Sequence, residues 1–134
     1  MFAKLSNYLR FIGRMRGVLK TMQVVEKKQD ILLTDEVEAT VDTYRDKPAF
    51  LFEDEALTFA EFDARANRVA NWALAQGYSP GDTLALVMEN CNDYLAIWIG
   101  LSKVGVITAL INNNLEGAGL AHCINIVDAK AIIA

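Results

Sequence analysis

Apolar residues at Leu5, Leu9, Ile12, Met15, Leu19 and Met22 recur every three or four positions near the start of the chain. That spacing returns to one face of a helix, so it predicts a helix over residues 2–24. Lys4, Arg10, Arg14 and Lys20 fall largely off the apolar stripe. A second helix is predicted after Thr34 or Asp35 as N-cap, with Val37, Val41 and Tyr44 on one side, ending before Asp46-Lys47-Pro48. Asp35 and Glu36 suit the positive end of its dipole.

From Ala49 the pattern changes. Ala49–Phe52 reads as a short buried strand, and Glu53–Ala56 as the turn back into Leu57. Thr58-Phe59-Ala60-Glu61 has the form of a capping box, in which hydroxyl and carboxylate satisfy each other's orphan backbone donors. The helix it opens carries Phe59, Phe62, Ala66, Val69 and Ala73 on one face, with Gly77 as its left-handed cap and Ser79-Pro80-Gly81-Asp82 as a turn. Three apolar strands follow at Thr83–Met88, Val106–Ile111 and Ala129–Ile133, separated by helical patterns over Asn92–Val104 and Gly117–Val127. In the last helix Leu120, Ile124 and Val127 form a stripe. Continuous apolar strands alternating with helices predict right-handed βαβ units, and hence an α/β fold: a partial doubly wound, mainly parallel sheet with flanking helices, preceded by the amphipathic basic helix. Two regions are expected, a helical segment over residues 1–33 and an incomplete α/β domain over 34–134. The sequence stops inside its last strand with no helix to follow, which is the reason to expect the domain to be incomplete.

Charge sharpens this division. The chain has 134 residues and a formal charge of −4, which argues against general nucleic-acid binding, since that needs a basic face. The average hides an asymmetry: residues 1–30 hold seven Lys or Arg against two acids, and the remainder six basic against fifteen acidic side chains. Lys4, Arg10, Arg14, Arg16 and Lys20 on an amphipathic helix are candidates for contact with an anionic membrane surface. The alternative is a helix packed on the missing part of the domain with its charges in water. No run of roughly eighteen uncharged apolar residues is present, so no ordinary membrane-spanning helix is expected. The arginines interrupt any signal-peptide core, and a start with Ser6 as its only serine is a poor transit peptide. Cys91 and Cys123 have no metal-ligand spacing around them, and two free thiols in a reducing cytosol is the simplest reading.

Little else carries chemistry. Asn112-Asn113-Asn114 follows a strand's C-terminal end, where open α/β sheets place ligands, but asparagine also favours turns and caps. His122 and Cys123 are adjacent on a helix and point in different directions, so they make no nucleophile–base pair; they read as helix surface and core. Gly117-Ala118-Gly119 fails the dinucleotide fingerprint because His122 stands where the third glycine belongs. Glu61, Asp63, Glu89 and Asp93 occupy helix starts and loops that cap and solvate carboxylates without any acid–base role.

Leu57–Asn90 resembles the early region of acyl-activating enzymes, the AMP-forming ligases. The resemblance is carried by Thr58-Phe59-Ala60-Glu61, Arg65-Ala66-Asn67, Pro80-Gly81-Asp82 and Glu89-Asn90. Trp98–Gly105 matches the next helix of that family. Ala109–Leu115, then Leu120–Ile124, is similar to the fatty acid transport protein branch of long- and very-long-chain acyl-CoA synthetases, although Glu116 stands where that branch usually has a basic residue. The resemblance covers about residues 45–134.

The resemblance implies a ligase that joins a long-chain fatty acid to coenzyme A with ATP and Mg²⁺, through an acyl-adenylate. It also implies that the chemistry sits elsewhere. The family's main ATP contact is a Ser/Thr/Gly-rich loop near a lysine, whereas Ser6, Ser79 and Ser102 are scattered here. No catalytic, cofactor-binding or metal-binding residue of the family falls on any position of this chain, so no cofactor is expected to bind it alone. The expected place of action is cytoplasmic, peripheral on the inner face of a membrane. The rival expectation is a non-catalytic membrane- or partner-binding module.

Overall fold

The computed structural model describes Met15 and residues 31–134. The helix expected over residues 2–24 therefore lies outside the described residues, apart from an exposed, helical Met15. The chain divides into two compact units, residues 1–35 and 36–134. In the first, the Leu32 amide donates to the Asp35 carboxylate at 2.9 Å. This moves the expected start of helix α1 (Leu33–Tyr44): Asp35 is its third residue, reaching back to Leu32, and not its N-cap.

In the second unit, strands β1 (Pro48–Phe52) and β2 (Glu55–Thr58) pair antiparallel around the two-residue turn Glu53-Asp54. The expected buried strand at Ala49–Phe52 is thus one arm of a hairpin outside the main sheet. It is covered on one side only, and Leu51 is 77% exposed. The return strand, β2, also reclaims Glu55 and Ala56 from the expected turn.

Helix α2 (Phe59–Ala75) begins as expected. The Glu61 amide donates to Thr58 Oγ1 at 3.2 Å, and Thr58 N–H donates to Glu61 Oε2 at 2.9 Å, closing the capping box. Its other end is a Schellman motif: Gly77 N–H donates to Leu74 O and Tyr78 N–H to Ala73 O, with Gly77 at φ 82. Ser79–Asp82 then turns with Asp82 N–H donating to Ser79 O, Gly81 holding φ 90.

Strands β3 (Thr83–Leu86), β4 (Ile107–Leu110) and β5 (Ala131–Ile133) form a parallel sheet in the order β4-β3-β5. Helix α3 (Asn92–Lys103) joins β3 to β4, and α4 (Gly117–Ile126) joins β4 to β5. The chain steps one way along the sheet and then back past β3, so right-handed crossovers put α3 and α4 on opposite faces. Only β3 fits the expectation of strands covered on both faces: Leu84, Ala85 and Leu86 are each 0% exposed. The edge strands leave Ile107, Leu110 and Ile132 half open because neither has a further neighbour among the described residues.

The core lies under α2 and α3. Leu57, Phe62, Ala66, Ala96 and Ile99 form one cluster; Ala73, Leu84, Leu101 and Val106 form another. The two helices approach so closely at Gly100 that a Cβ there would meet the Ala66 carbonyl oxygen and lie 2.8 Å from Val69 Cβ. The expected stripe Leu120, Ile124, Val127 reaches only partial cover, and α4 has no buried residue.

Candidate functional site

In an open parallel sheet, ligands bind outside the carboxyl ends of adjacent strands whose following helices leave to opposite faces. Here those strands are β3 and β4, and the crevice is bordered by residues 87–91 and 111–116. Val87 N–H donates to Ile133 O and Ile111 N–H to Leu86 O, so the sheet ladder carries on just past the strand ends. The Asn-rich loop is a turn: Asn112 Oδ1 accepts from the Asn114 amide at 2.9 Å, and Leu115 N–H donates to Asn112 O. It does not cap α4, whose N-cap is Glu116 and has no side-chain cap bond.

The residues bordering this crevice do not fit a nucleoside triphosphate. They include Glu89 and Glu116 and no Lys or Arg, which is the wrong sign for phosphates. The two serines among the described residues are committed elsewhere: Ser79 opens the turn before β3, and Ser102 donates to Trp98 O within α3. Among the described residues no group of His, Cys, Asp or Glu is close enough to hold a metal ion.

The charged residues of the signature segments join elements together. Arg65 on α2 donates Nη1 to Asp93 Oδ1 at 2.8 Å and pairs through Nη2 with Glu55 Oε1 of the hairpin. Glu55 Oε2 in turn accepts from Asn92, a buried polar side chain, at 2.8 Å. The Asn92 and Arg65 bonds hold the Glu55 carboxyl below its ordinary range, and the Asp93 and Glu55 bonds raise Arg65 above its own. Lys103, one-tenth exposed, bridges Asp63 at 2.7 Å, Asn67 at 2.9 Å and Glu38 of α1 at 3.1 Å. Burial pulls its pKa down, but the bonds to Asp63 and Glu38 more than offset this, and the net shift is upward. Asp82 lies below its ordinary range because it accepts from Lys130 and from the Ser79 amide. Thr58 does the same for Glu61 through the capping box.

Asp63, Asp93 and Glu61 are thus tied to structural partners. Cys91 and Cys123 are free thiols, each part-exposed; His122 is exposed on α4, and Cys123 does not reach the core expected of it. Lys4, Arg10, Arg14, Arg16 and Lys20 lie outside the described residues. No helix of the described residues is long and apolar enough to cross a membrane.

The sequence reading missed a cleft of about 320 Å³ between α2 and α3. Arg65, Arg68, Val69 and Trp72 on α2 face Asp93 and Ile97 on α3 across it. The available signal was a second stripe on α2 at steps of three and four, beside the apolar one.

The profile of the family described as "AMP-binding enzyme" matches residues 37–134. The chain is 43% identical over 76 residues to "Long-chain fatty acid transport protein 1" of Rattus norvegicus, which covers 57% of this chain and 12% of that protein. It is 42% identical over 90 residues to "Long-chain fatty acid transport protein 2" of Rattus norvegicus, covering 66% of this chain and 14% of that one. The chain therefore spans about an eighth of the length of these relatives. Among solved structures, the Klebsiella oxytoca NpsA N-terminal subdomain in complex with 3-hydroxyanthranilyl-AMSN superposes with a TM-score of 0.71 at 17% identity, over 75% of this chain and 26% of that one. At that identity the likeness speaks for the fold.

Proposed function

The chain belongs to the family of AMP-binding enzymes, and from that premise we propose that it is the N-terminal part of a long-chain fatty acid–CoA ligase. In the whole enzyme, a fatty acid carboxylate attacks the α-phosphate of ATP, releasing diphosphate and forming an acyl-adenylate. The thiolate of coenzyme A then attacks the acyl carbonyl, and AMP leaves. The observation that carries this reading is the 43% identity over 76 residues to a long-chain fatty acid transport protein. The role of the present residues is scaffolding: α2, α3 and the hairpin hold β3 at the centre of the sheet on which the rest of the site is assembled. The basic residues Lys4, Arg10, Arg14, Arg16 and Lys20 bring the enzyme to the anionic, cytoplasmic face of a membrane, where its substrate is dissolved. Nucleic acid is no partner of this acidic chain.

ATP–diphosphate exchange with a panel of fatty acids tests the proposal. The 134-residue chain gives no exchange, and the product of its reading frame continued past Ala134 gives exchange that depends on a long-chain acid. Sustained exchange by the pure 134-residue chain overturns the scaffolding role. A continued product inert with every acid overturns the ligase reading. For the basic segment, a variant with Gln at the five positions is expected to lose co-sedimentation with anionic vesicles; equal sedimentation of variant and wild type removes the membrane role.

A further inference from the structure

We propose that α1 is a releasable strap, hinged at Arg45–Lys47 and latched through Glu38 to Lys103, which detaches while the α2–α3 pair stays folded. Its own sequence holds it weakly. The helix is 12 residues long, and helices of about that length are marginal in water without a packed face. Thr40 and Thr43 turn their hydroxyls back onto the Glu36 and Ala39 carbonyls at 2.7 and 2.8 Å, an arrangement that slightly weakens a helix. Val41 is its single buried residue, and Val37 packs half-buried on the cluster around Phe62. Along its length α1 packs closely against no other element of the described residues.

The C-terminal end is pinned. The Ala60 amide donates to the Arg45 carbonyl at 2.9 Å, and the Phe59 amide to the Lys47 carbonyl at 3.1 Å. These are first-turn amides of α2, which find no acceptor inside their own helix. Pulling this end away would leave both unmet, so the chain stays attached there. Lys47 braces the same corner, its N–H donating to Tyr44 O at 2.8 Å and its ammonium lying 4.5 Å from the Tyr44 ring centre.

Further up the helix Glu38 reaches Lys103, and the surroundings of Lys103 make that contact a latch. An ammonium has three donors, and here they meet Asp63 at 2.7 Å, Asn67 at 2.9 Å and Glu38 at 3.1 Å. Breaking a buried ion pair is costly when it leaves a charge without a counter-ion. Glu38 makes the longest of the three bonds and, at 57% exposed against 24%, is the more open of the two carboxylates. Its departure leaves Lys103 paired with Asp63, and the freed donor and acceptor turn to water. The latch thus opens without orphaning a charge, and a pair so open to solvent is weakened by salt.

The test is native-state hydrogen exchange of the 134-residue chain, followed amide by amide, with α1 read at Val41 and Thr43 and the core at Leu101. The α1 amides are expected to open at least about tenfold more often than Leu101. Raising NaCl from about 0.05 to about 0.5 M is expected to increase α1 opening about threefold relative to Leu101. Glu38→Gln is expected to increase it by a similar factor and to abolish the salt response. Asp42→Asn makes the same change of charge on the same helix, at a carboxylate with no hydrogen bond or ion pair among the described residues, and is expected to do neither. Exchange of α1 in step with Leu101 would overturn the proposal, as would wild-type exchange at α1 in Glu38→Gln. So would an Asp42→Asn chain that behaves like Glu38→Gln, or α1 opening in the wild type that ignores salt.

Discussion

The two sides of the sheet are built differently. On the α2–α3 side, apolar burial and polar bonds are superposed: Ala66, Ala73 and Leu101 are 0% exposed, and the Arg65–Glu55–Asn92–Asp93 and Lys103–Asp63–Asn67–Glu38 networks bind hairpin and helices around them. On the α4 side, the helix has no buried residue, Ile126 is 70% exposed, and the neighbouring β5 leaves Ile132 52% exposed. Of the helices, α4 is the more apolar in composition and α2 carries four charged side chains, so hydrophobicity alone does not account for the difference. What separates them is whether a second helix lies alongside. The pair α2–α3 excludes water from both partners, whereas α4 packs closely against no helix among the described residues. The lesson is that stability in this chain is concentrated in the part that packs helix on helix.

That contrast can be broken by matched substitutions. Leu101→Ala removes a fully buried side chain and is expected to cost about 3 kcal/mol, read from the urea midpoint followed by circular dichroism. Its counterpart Leu120→Ala on α4 is expected to cost less than about 0.5 kcal/mol. Equal losses would erase the distinction between the two sides. Next in size, Asn92→Ala removes a buried donor to a carboxylate and is expected to lose about 1.5 kcal/mol by the same measurement. An Arg65→Ala/Asn92→Ala double-mutant cycle, showing less than additive loss, reports their shared dependence on Glu55.

A smaller effect runs the other way. Thr108 Oγ1 is buried on β4 without a hydrogen-bond partner among the described residues. Thr108→Val keeps the shape and removes the unmet group, and is expected to stabilise by about 1 kcal/mol. A loss in the urea midpoint would show that the hydroxyl has a partner in solution.

The smallest expected effect is with pH. Glu55, Glu61 and Asp82 all titrate below their ordinary range when folded. Their contribution is therefore present above the unfolded values of about 3.9–4.3 and is lost as pH falls through the lower folded values. Lys103 titrates above its ordinary range, so its contribution is present below about 10.4 and is lost as pH rises past the folded value. Urea midpoints should be level from about pH 5 to 10 and fall on both sides. Glu55→Gln is expected to flatten part of the acid arm, and a midpoint that rises on acidification would contradict the assigned shifts.

Local chemistry made much of the chain legible in advance. The Thr58–Glu61 capping box, the Gly77 cap and the Ser79–Asp82 turn each depend on side chains a few residues apart, and all three form as read. The strand–helix alternation from Thr83 onward is equally local in origin and gives the observed parallel sheet. Asp35 was misplaced within α1 because a carboxylate serves equally well as N-cap or as the third residue of a capping box, and only the backbone path chooses between them. The candidate sites were less legible. Cys123 read as core because its type is usually buried, yet burial requires a neighbour that α4 lacks among the described residues. The α2–α3 cleft escaped notice because its walls are 21 and more positions apart in sequence.

By itself, then, the sequence determined the ends of α2, the Ser79–Asp82 turn, the strand–helix alternation from Thr83 and the family resemblance, since each rests on residues that meet through a few covalent links. Only the tertiary structure decided that the hairpin stands apart from the parallel sheet, that Arg65 and Lys103 are fasteners between elements, and that Arg68 is left facing an apolar cleft. The physical reason is that a charge's role depends on which other charge comes within about 4 Å. Across loops and crossovers, periodicity says that a side chain faces outward or inward, but the partner it meets is set by how the elements pack.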